Sequence, residues 1–271
     1  MSIINFKDKT AVIIGGGNGV GRGIAISLAA EKVNVVVADV DIASAMAVKD
    51  EIILQGHSAV AIKVDATQIE SLTNLANETI KAFGSIHILV STVGAILEKH
   101  IDAASDQEWQ WMFEMNLMAN VRAAKVFVPH LKQNIKSHIV LTGSGGGLFA
   151  PPPDMHIGLY STMKHALTGF AKSLRNELKK FDVGVSLLCP SGVEGKLATT
   201  SARSKANFLK VDFDDTTGRQ PAHRVLESGE SMGKLVVSAI QKNQFYILNK
   251  PNETFQALEN ELNFLKEDIK L

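Results

Sequence analysis

Short runs of β-branched and aliphatic residues recur along the chain, and longer segments with hydrophobic residues at helical spacing separate them. The short runs have apolar residues at consecutive positions, which is typical of strands covered on both faces. They predict seven strands: Thr10–Ile14, Asn34–Ala38, Ala59–Val64, His87–Val90, His138–Leu141, Gly184–Leu188 and Gln244–Leu248.

The segments between these strands show the helical period. The leucines of Ile69–Phe83 fall on one stripe, and similar spacing predicts helices over Val20–Glu31 and Leu159–Phe181. Strands and helices that alternate along a chain form βαβ units. The sequence therefore predicts an α/β fold: a single doubly wound parallel sheet of about seven strands with helices on both faces, in one domain spanning residues 1–271.

One segment departs from this alternation. Thr199 to about Arg224 is more polar and lacks strand periodicity. It predicts an irregular or short-helical lid, at about residues 194–225, over the carboxyl ends of the strands, where doubly wound folds bind their ligands. A solvated surface loop is the alternative interpretation.

The C-terminal tail, about residues 252–271, has an apolar stripe at helical spacing. Its members are Phe255, Leu258, Leu262, Leu265 and Ile269. A stripe of this kind needs an apolar surface to cover it, either in its own domain or in a neighbouring subunit.

The charge balance narrows the possible partners. The 271-residue chain carries 28 basic and 28 acidic side chains, so its formal net charge is +0, which offers no attraction for nucleic acid or an anionic membrane. No apolar run is long enough to cross a bilayer, and Met1–Lys9 lacks a signal-peptide core. Because Cys189 is the single cysteine and the histidines lack metal-ligand spacing, we expect a cytoplasmic protein without a metal.

A glycine-rich turn, Gly15–Gly23, directly follows the first predicted strand and leads into a helix. Glycines permit the tight turn and the close approach of the backbone to a pyrophosphate, which the helix N-terminus then binds. The strand-to-helix junction raises the value of this motif, although a glycine turn without a ligand is the alternative. The dinucleotide-binding residues predicted here are Gly15, Asn18, Gly19, Val20 and Gly21.

Asp39 closes the second predicted strand. A carboxylate at this position accepts both hydroxyls of an adenosine ribose and repels a 2′-phosphate. Asn18 puts no positive charge in the glycine turn, and we expect Arg22 to face away from the ribose. These features favour NAD over NADP. Asp41 is predicted to cap the helix that follows.

Tyr160 and Lys164 are four residues apart, so a helix places them on one face. A lysine ammonium beside a phenol favours the phenolate and lowers the pKa of the tyrosine. Such a tyrosine is a general acid or base near neutral pH. A surface pair without function is the alternative, because this spacing is common.

Together, these motifs resemble the classical branch of the short-chain dehydrogenase/reductase family, over about residues 7–250. The resemblance implies a Rossmann fold and a catalytic set of Asn116, Ser144, Tyr160 and Lys164. The cofactor-binding positions it implies are Gly15, Asn18, Gly19, Val20, Gly21, Asp39, Val40, Asp65, Ala66, Ser91, Val93, Gly94, Tyr160, Lys164, Pro190 and Val193.

Several departures from the family pattern bear on the site, besides Ile14 in place of threonine and Ser191 in place of glycine. Residues 91–94 are Ser-Thr-Val-Gly where the family has Asn-Asn-Ala-Gly, so the two hydroxyls or the backbone must support the central strand. Residues 145–159 form a long segment that we expect to bulge beside the active site. Gly195 stands where the family usually has threonine, which leaves the backbone of Val193 to hold the nicotinamide amide.

The resemblance implies a hydride transfer in which Tyr160 exchanges the proton of the substrate hydroxyl. Lys164 would lower the tyrosine pKa and hold the nicotinamide ribose, while Ser144 would hydrogen-bond the substrate oxygen. Asn116 would anchor a water that links Lys164 to solvent. The pocket walls would be Val93–Leu97, Gly145–Met155 and Val193 to about Val211.

A looser resemblance concerns the substrate. His223–Gly229, Gln244–Leu248 and the helical tail are similar to bacterial aryl-alcohol Cα-dehydrogenases. This similarity implies a hydrophobic secondary alcohol or ketone as the small-molecule partner. Family members commonly associate through two long helices, here near Leu117–Leu131 and Leu159–Phe181, which implies a homodimer or homotetramer.

Two other functions stay open at this point. One is an NADPH-dependent reductase of 3-oxoacyl or other carbonyl compounds, which Asn18 and Asp39 disfavour. The other is a catalytically idle NAD-binding sensor on the same fold, which the presence of Asn116, Tyr160 and Lys164 disfavours. A cofactor titration separates the first from the principal hypothesis, and a panel of secondary alcohols separates the second.

Overall fold

The computed structural model describes residues 5–213 and 226–269. Within these ranges seven strands form one sheet, and every predicted strand is present with its ends shifted by at most two residues. The strands are β1 Thr10–Ile14, β2 Asn34–Asp39, β3 Ala59–Lys63, β4 Ile88–Ser91, β5 Ser137–Thr142, β6 Val183–Cys189 and β7 Tyr246–Leu248.

The sheet is parallel throughout, in the order β3-β2-β1-β4-β5-β6-β7. After β3, at one edge, the chain crosses back to place β4 beside β1. The winding therefore reverses between β1 and β4, and doubly wound folds bind their ligands at the carboxyl ends beside this switch point. The predicted Rossmann-type architecture is confirmed.

Helices connect the strands and cover both faces of the sheet. They are α1 Gly19–Ala30, α2 Ile42–Leu54, α3 Ile69–Phe83, α4 Asp106–Phe113, α5 Ala119–Leu131, α6 Gly158–Leu178, α7 Leu197–Leu209, α8 Gly229–Lys242 and α9 Pro251–Asp268. A π-helical turn, Glu114–Met118, joins α4 to α5. Of the three helices predicted from periodicity, α3 has the predicted bounds and the other two begin one residue early.

Two hydrophobic layers bury the sheet. On one face, Leu72 of α3, Phe127 of α5 and Leu167 of α6 pack with alternate strand residues. On the other, Leu28 of α1 and Ile52 of α2 do the same beside α8. All five residues of β1 are buried, as the continuous apolar run predicts for a strand between two layers.

α1 and α8 approach each other so closely that their backbones touch. A Cβ on Gly23 would overlap the carbonyl oxygen of Gly229, and a Cβ on Gly229 would overlap that of Gly19. Arg22 adds an ion pair to Glu230 at the same helix contact. Because α1 begins inside the glycine turn, this packing fixes the orientation of the turn.

The lid is more regular than predicted. The segment Thr199–Arg224, predicted to be an irregular or short-helical excursion, starts inside a 13-residue α-helix, α7, that spans Leu197–Leu209. The predicted lid extends over residues 214–225, and these, with the His223–Val225 part of the aryl-alcohol similarity, lie outside the described residues. The polar residues of α7 misled the sequence interpretation, because several of them face α4 and the loop after β4 rather than solvent.

The C-terminal stripe falls on α9, and the described part of this chain leaves it largely uncovered. Phe255 is 59% exposed, Leu262 49% and Leu265 52%. Thr254 is buried, and the amide of Ala150 donates to Glu261 Oε1 at 2.8 Å. No described helix has the length and hydropathy that crossing a membrane requires.

Candidate active site

The glycine turn joins the end of β1 to the start of α1. Gly15 and Gly19 have φ values of 82° and 47°, the left-handed region that glycine adopts without strain. A Cβ on Gly21 would overlap the carbonyl oxygen of Gly15, so only glycine lets the helix close on the turn. The turn thus presents bare backbone and a helix N-terminus, which suits a pyrophosphate.

Asp39, at the end of β2, lies against this turn. Its carboxylate accepts hydrogen bonds from the amides of Gly17, at 2.9 Å, and Asp41, at 3.0 Å. These bonds hold the carboxylate at the carboxyl end of β2, where a ribose would meet it. Asp41 caps α2 through the amides of Ala43 and Ser44, as predicted.

Arg22 is engaged on the far side of α1. Its guanidinium binds Glu51 at 2.6 Å and also pairs with Glu230. Burial lowers the pKa of Arg22, but the hydrogen bonds and charges of the two glutamates outweigh it and raise the pKa. The expectation that Arg22 faces away from the ribose agrees with these contacts.

The predicted adenine-side residues lie after β2 and β3. Val40 is 64% exposed and presents an apolar side chain beside Asp39. Asp65 accepts hydrogen bonds from the amide and hydroxyl of Thr67, at 2.9 and 2.6 Å, while Ala66 is buried. The carboxylate of Asp65 thereby fixes the turn that leads into α3.

The Ser-Thr-Val-Gly motif at residues 91–94 supports the central strands through its two hydroxyls. This is one of the two predicted alternatives, the other being support through the backbone. Thr92 Oγ1 donates to the carbonyl oxygens of Ile14 and Gly15, at 3.0 and 3.1 Å. Ser91 Oγ lies 2.7 Å from Asn120 Oδ1. Asn120 was missed from the sequence, although it stands four residues after Asn116 on the same helical path.

Asn116 lies in the π-helical turn and is fully buried. Its Nδ2 donates to the carbonyl of Ala95 at 3.0 Å, and its Oδ1 accepts from the amide of Ala95 at 3.1 Å. A Cβ on Gly94 would lie 3.0 Å from Asn116 Oδ1 and 3.1 Å from Lys164 Nζ. The structure therefore brings Asn116, Gly94 and Lys164 together.

Tyr160 and Lys164 share one face of α6, and both are buried. Lys164 Nζ donates to the carbonyl of Thr142 at 2.8 Å and lies 5.5 Å from the centroid of the Tyr160 ring. Ser144 begins a short 3₁₀ turn, its hydroxyl accepts from the amide of Gly146 at 3.2 Å, and it lies near enough to the Tyr160 hydroxyl to lower the pKa of Tyr160. The three predicted residues therefore meet at the carboxyl end of β5.

The direction of the tyrosine pKa corrects the prediction. Burial raises the pKa of Tyr160, and the hydrogen bond from Ser144 offsets this only in part. Lys164 does not lower it here, because burial lowers the pKa of Lys164 itself to about 8 and its ammonium faces Thr142. The predicted lowering of the tyrosine pKa is therefore wrong for this structure, because burial outweighs it.

Cys189, at the end of β6, borders this catalytic group. Burial raises the pKa of its thiol to about 12, so the thiol stays neutral and behaves as the small buried hydrophobe that the sequence predicts. Its position beside Ser144, Tyr160 and Lys164 was not predicted.

The loop after β6 is held from two directions. Val193 forms a parallel bridge with Glu227, and the amide of Glu194 donates to the carbonyl of Glu227 at 2.9 Å. Asn249, just after β7, accepts from the amide of Ser191 at 3.0 Å. The loop reaches the glycine turn at Glu194 and Gly195, which would lie 3.1 and 3.4 Å from a Cβ on Gly19. Glu227 and Asn249 are supports that the sequence did not reveal.

An apolar cluster surrounds the Tyr160 ring. It comprises Ala95, Trp111, Met112, Ile157, Leu159, Tyr160 and Met163. Trp111 and Met112 are buried in it, so part of the aromatic and methionine-rich segment 109–115 belongs to the core around the site. Among the described residues, no group of three or more His, Cys, Asp or Glu is placed to hold a metal ion.

The fit of a dinucleotide rests on these features. The positive φ values of Gly15 and Gly19, the carboxylate of Asp39 and the narrow space at Gly94 match the pyrophosphate, ribose and nicotinamide ends of such a molecule. The side chain of Lys164 lies beside Gly94, at the nicotinamide end, within reach of Tyr160.

Comparison with known proteins shows which family and which relatives this chain resembles. The short chain dehydrogenase family model matches residues 9–206. A hydroxynaphthalene reductase-like protein, Arp2 of Metarhizium guizhouense, is 31% identical over 72% of both chains, and a CLA biosynthesis dehydrogenase/reductase of Lactiplantibacillus plantarum is 25% identical over 91% of this chain and 90% of its own. A short chain dehydrogenase/reductase of Burkholderia phymatum, solved with NAD, is 28% identical and superposes with a TM-score of 0.84 over 99% of this chain and 96% of its own.

The matched residues include the glycine turn, Asn116, Ser144, Tyr160 and Lys164, all of which the sequence singled out. The chain therefore belongs to the short-chain dehydrogenase family and is an NAD(P)-dependent dehydrogenase or reductase.

Proposed function

We propose that this enzyme transfers a hydride between NAD and a hydrophobic secondary alcohol or its ketone, with Tyr160 as general acid and base. The observation that carries the proposal is the buried group formed by the Tyr160 hydroxyl, the Ser144 hydroxyl and Lys164 at the edge of an apolar cluster. The family resemblance implies that such a group exchanges a proton with a hydroxyl or carbonyl oxygen.

Nicotinamide supplies the hydride acceptor or donor when the dinucleotide is bound, and the protein handles the proton. In reduction, the neutral phenol of Tyr160 donates its proton to the ketone oxygen. In oxidation, the Tyr160 phenolate accepts the substrate hydroxyl proton after its own proton has left for solvent. Ser144 donates a hydrogen bond to the same oxygen, where negative charge develops. Lys164, whose pKa burial lowers to about 8, lies 5.5 Å from the centroid of the Tyr160 ring and can pass the proton onward.

The proposed relay continues from Lys164 toward Asn116. Asn116 Nδ2 donates to the carbonyl oxygens of Ala95 and Met112. The backbone carbonyl oxygen of Asn116 accepts from Asn120 Nδ2 at 3.0 Å. A water held at the carbonyl oxygen of Asn116 would continue the relay from Lys164 to solvent.

The proposed preference for NAD rests on charge. Asp39 presents a carboxylate beside Gly17, Asn18 contributes no cation, and Arg22 is held by Glu51 and Glu230. A 2′-phosphate would meet a negative charge with no cation to compensate it. The Burkholderia phymatum relative, which was solved with NAD, supports the same choice.

The proposed substrate class rests on the apolar cluster and on the relatives. Trp111, Met112 and Met163 surround the ring of Tyr160, so a substrate that reaches its hydroxyl contacts an apolar wall. The relative in Metarhizium guizhouense has a name that points to a hydroxynaphthalene, a bulky aromatic compound. Aryl and other hydrophobic secondary alcohols are accordingly the first substrates to test.

The deciding experiment follows absorbance at 340 nm with a panel of aryl and alkyl secondary alcohols and the matching ketones, each with NAD and NADP. We expect turnover of hydrophobic members with NAD. A clear preference for NADP would favour the NADPH-dependent carbonyl reductase. NAD binding with no turnover across the panel would favour the idle sensor.

We also propose that the enzyme assembles as a homodimer or homotetramer. The stripe on α9 supports this, because Leu262 and Leu265 remain about half exposed within one chain. Exposed leucines in a row are typical of association surfaces. Light scattering coupled to gel filtration gives the mass directly, and a monomer at micromolar concentration would contradict the proposal.

A further inference from the structure

Three separate segments meet at the side chain of Glu108, on α4. The loop after β4 contributes Lys99, whose Nζ lies 2.7 Å from Glu108 Oε2. The start of α4 contributes the amide of Ser105, which donates to the same oxygen at 3.0 Å. The lid helix α7 contributes Lys205, whose Nζ lies 3.5 Å from the other oxygen, Oε1.

The two carboxylate oxygens of Glu108 therefore have different partners. Oε2 completes the capping box of α4 and binds Lys99, contacts that stay within the sequence around residues 99–108. Oε1 is directed at α7, about a hundred residues further along the chain. The capping box alone accounts for a glutamate at this position, but it does not account for the cation from α7.

The Glu108–Lys205 ion pair joins a buried carboxylate to a partly exposed lysine. Only 6% of the Glu108 side chain is exposed, against 31% for Lys205. Burial raises the pKa of Glu108, but the hydrogen bonds from Lys99 and Ser105 and the charges of Lys99 and Lys205 outweigh it and lower the pKa. A carboxylate that is buried and charged depends on its partners, whereas Lys205 is exposed enough to leave and return.

α7 docks through one face. Ser201, Ser204 and Lys205 stand at positions i, i+3 and i+4, which a helix brings together. Ser201 Oγ accepts from the amide of Ile96 at 2.9 Å, and Ser204 Oγ accepts from Trp111 Nε1 at 3.1 Å. The docking face of α7, defined by these three residues, therefore lies on the loop after β4 and on α4, both of which border the apolar cluster around Tyr160.

We propose that Glu108 is a positioning residue: through Lys205 it holds α7 closed over the substrate pocket and so raises the affinity for substrate. The proposal rests on the proposed function for the identity of the pocket. It follows that breaking the pair opens α7 more often, while Tyr160, Lys164 and the cofactor residues keep their positions. The effect therefore falls on the KM for the alcohol or ketone and on the opening of α7, and not on kcat.

The test uses four variants of the full chain. Lys205→Met removes the cation from the lid, and Glu108→Gln removes the charge while glutamine still completes the capping box. Lys205→Arg keeps the cation. Arg203→Met is the matched control, because it also removes a positive charge from α7. The Arg203 guanidinium lies over the ring of Phe213 and not at Glu108.

The first readout is hydrogen exchange of the α7 amides in the ligand-free protein. We expect Lys205→Met and Glu108→Gln to speed exchange over Leu197–Leu209 by roughly fivefold, while Lys205→Arg and Arg203→Met stay at the wild-type rate. If Glu108→Gln does not fold, Lys205→Met decides alone. Wild-type exchange in Lys205→Met, or an equal increase in Arg203→Met, overturns the proposal.

The second readout is steady-state kinetics with whichever alcohol or ketone the panel identifies. We expect the substrate KM of Lys205→Met to rise by roughly fivefold with less than a twofold change in kcat and in the KM for NAD, and Lys205→Arg to restore it. A fall in kcat with an unchanged KM overturns the proposal. Hydrogen exchange is measured without substrate, so the two proposals can fail separately. A chain that turns over no alcohol refutes the proposed function, whereas the exchange rates still decide whether the Glu108–Lys205 pair holds α7 closed.

Discussion

Around the glycine turn, backbone packs on backbone, whereas around the substrate pocket one segment reaches another through side chains. Gly21 closes on Gly15, and Gly23 on Gly229, with no room for a single carbon atom between them. On the substrate side, Ser201 and Lys205 reach across to the loop after β4 and to α4 by one hydrogen bond and one ion pair. The cofactor side is therefore rigid by steric exclusion, and the substrate side is held by contacts that can break singly.

This difference suits the two ligands. A dinucleotide presents the same pyrophosphate to every enzyme that binds it, so a fixed backbone surface is sufficient. A substrate pocket must admit and release its ligand, and loops or lids that open on the microsecond to millisecond scale perform that task. The variants below test each side separately, from the largest expected effect to the smallest.

The largest effect is expected from Tyr160→Phe, which removes one oxygen atom from the substrate side and leaves the cofactor side unchanged. Turnover should fall by about 10³-fold, because the general acid and base is lost. The phenylalanine ring still fills the apolar cluster, so NAD affinity measured by fluorescence titration should stay within about twofold. Near-full activity in this variant would refute the assigned role of Tyr160.

Gly23→Ala tests the backbone contact on the cofactor side. The added Cβ would overlap the Gly229 carbonyl, so α1 and α8 must separate, at a cost of about 3 kcal/mol in the free energy of unfolding. Gly169→Ala is the matched control, because Gly169 lies in α6 with open space where its Cβ would go. Urea unfolding should show the control unchanged or stabilised by up to about 1 kcal/mol. Equal behaviour of the two variants would mean that the contact is not tight in solution.

The same difference explains what the sequence could reveal. The strands and α3 follow from local periodicity, and the glycine turn follows from a motif whose residues are consecutive, so both were predicted closely. Asn120, Glu227 and Asn249 were missed because their roles depend on partners tens of residues away. The Ser201 contact joins residues 105 positions apart, and no local pattern in α7 points to it.

The pKa of Tyr160 was missed for a different physical reason. The Tyr-x-x-x-Lys spacing shows that two side chains share a face, but it carries no information on burial. Tyr160 and Lys164 are both enclosed, and enclosure disfavours the charged form of each. The spacing of Tyr160 and Lys164 predicts that the two side chains are close to each other. The desolvation that shifts their pKa values depends on how the whole fold encloses them.

The pH dependence of unfolding tests the opposite end of the sheet, at the amino-terminal ends of the strands, where β5 contains the buried His138. Burial lowers the pKa of His138 to about 3 from the ordinary value of 6.5, and its Nε2 lies 2.7 Å from Ser186 Oγ. Between these two pKa values the unfolded chain binds a proton that the folded chain does not, so stability decreases as pH falls below about 6.5. At pH 5 the loss from His138 should be about 2 kcal/mol.

The variant His138→Gln isolates this contribution, because His87, whose pKa burial lowers to about 4, acts in the same direction and remains present. Unfolding free energies of both proteins at pH 7 and pH 5 give the comparison. The loss between the two pH values should be smaller in the variant by about 2 kcal/mol, whatever its stability at pH 7. Parallel losses in the two proteins would show that His138 is protonated in the fold.

The smallest effect is expected from Asp39→Ala, which tests the proposed role of a side chain, and not the backbone, in selecting the dinucleotide. Removing the carboxylate should weaken NAD by about tenfold, since hydrogen bonds from the ribose hydroxyls to a charged acceptor are lost. NADP should weaken less or bind better, because the repulsion of its 2′-phosphate disappears with the charge. Dissociation constants for both dinucleotides, measured with wild type and variant, give the ratio directly. The variant also removes the hydrogen bond from the Gly17 amide to the carboxylate, so equal weakening of NAD and NADP would mean that Asp39 acts by holding Gly17 in place and that cofactor choice lies elsewhere.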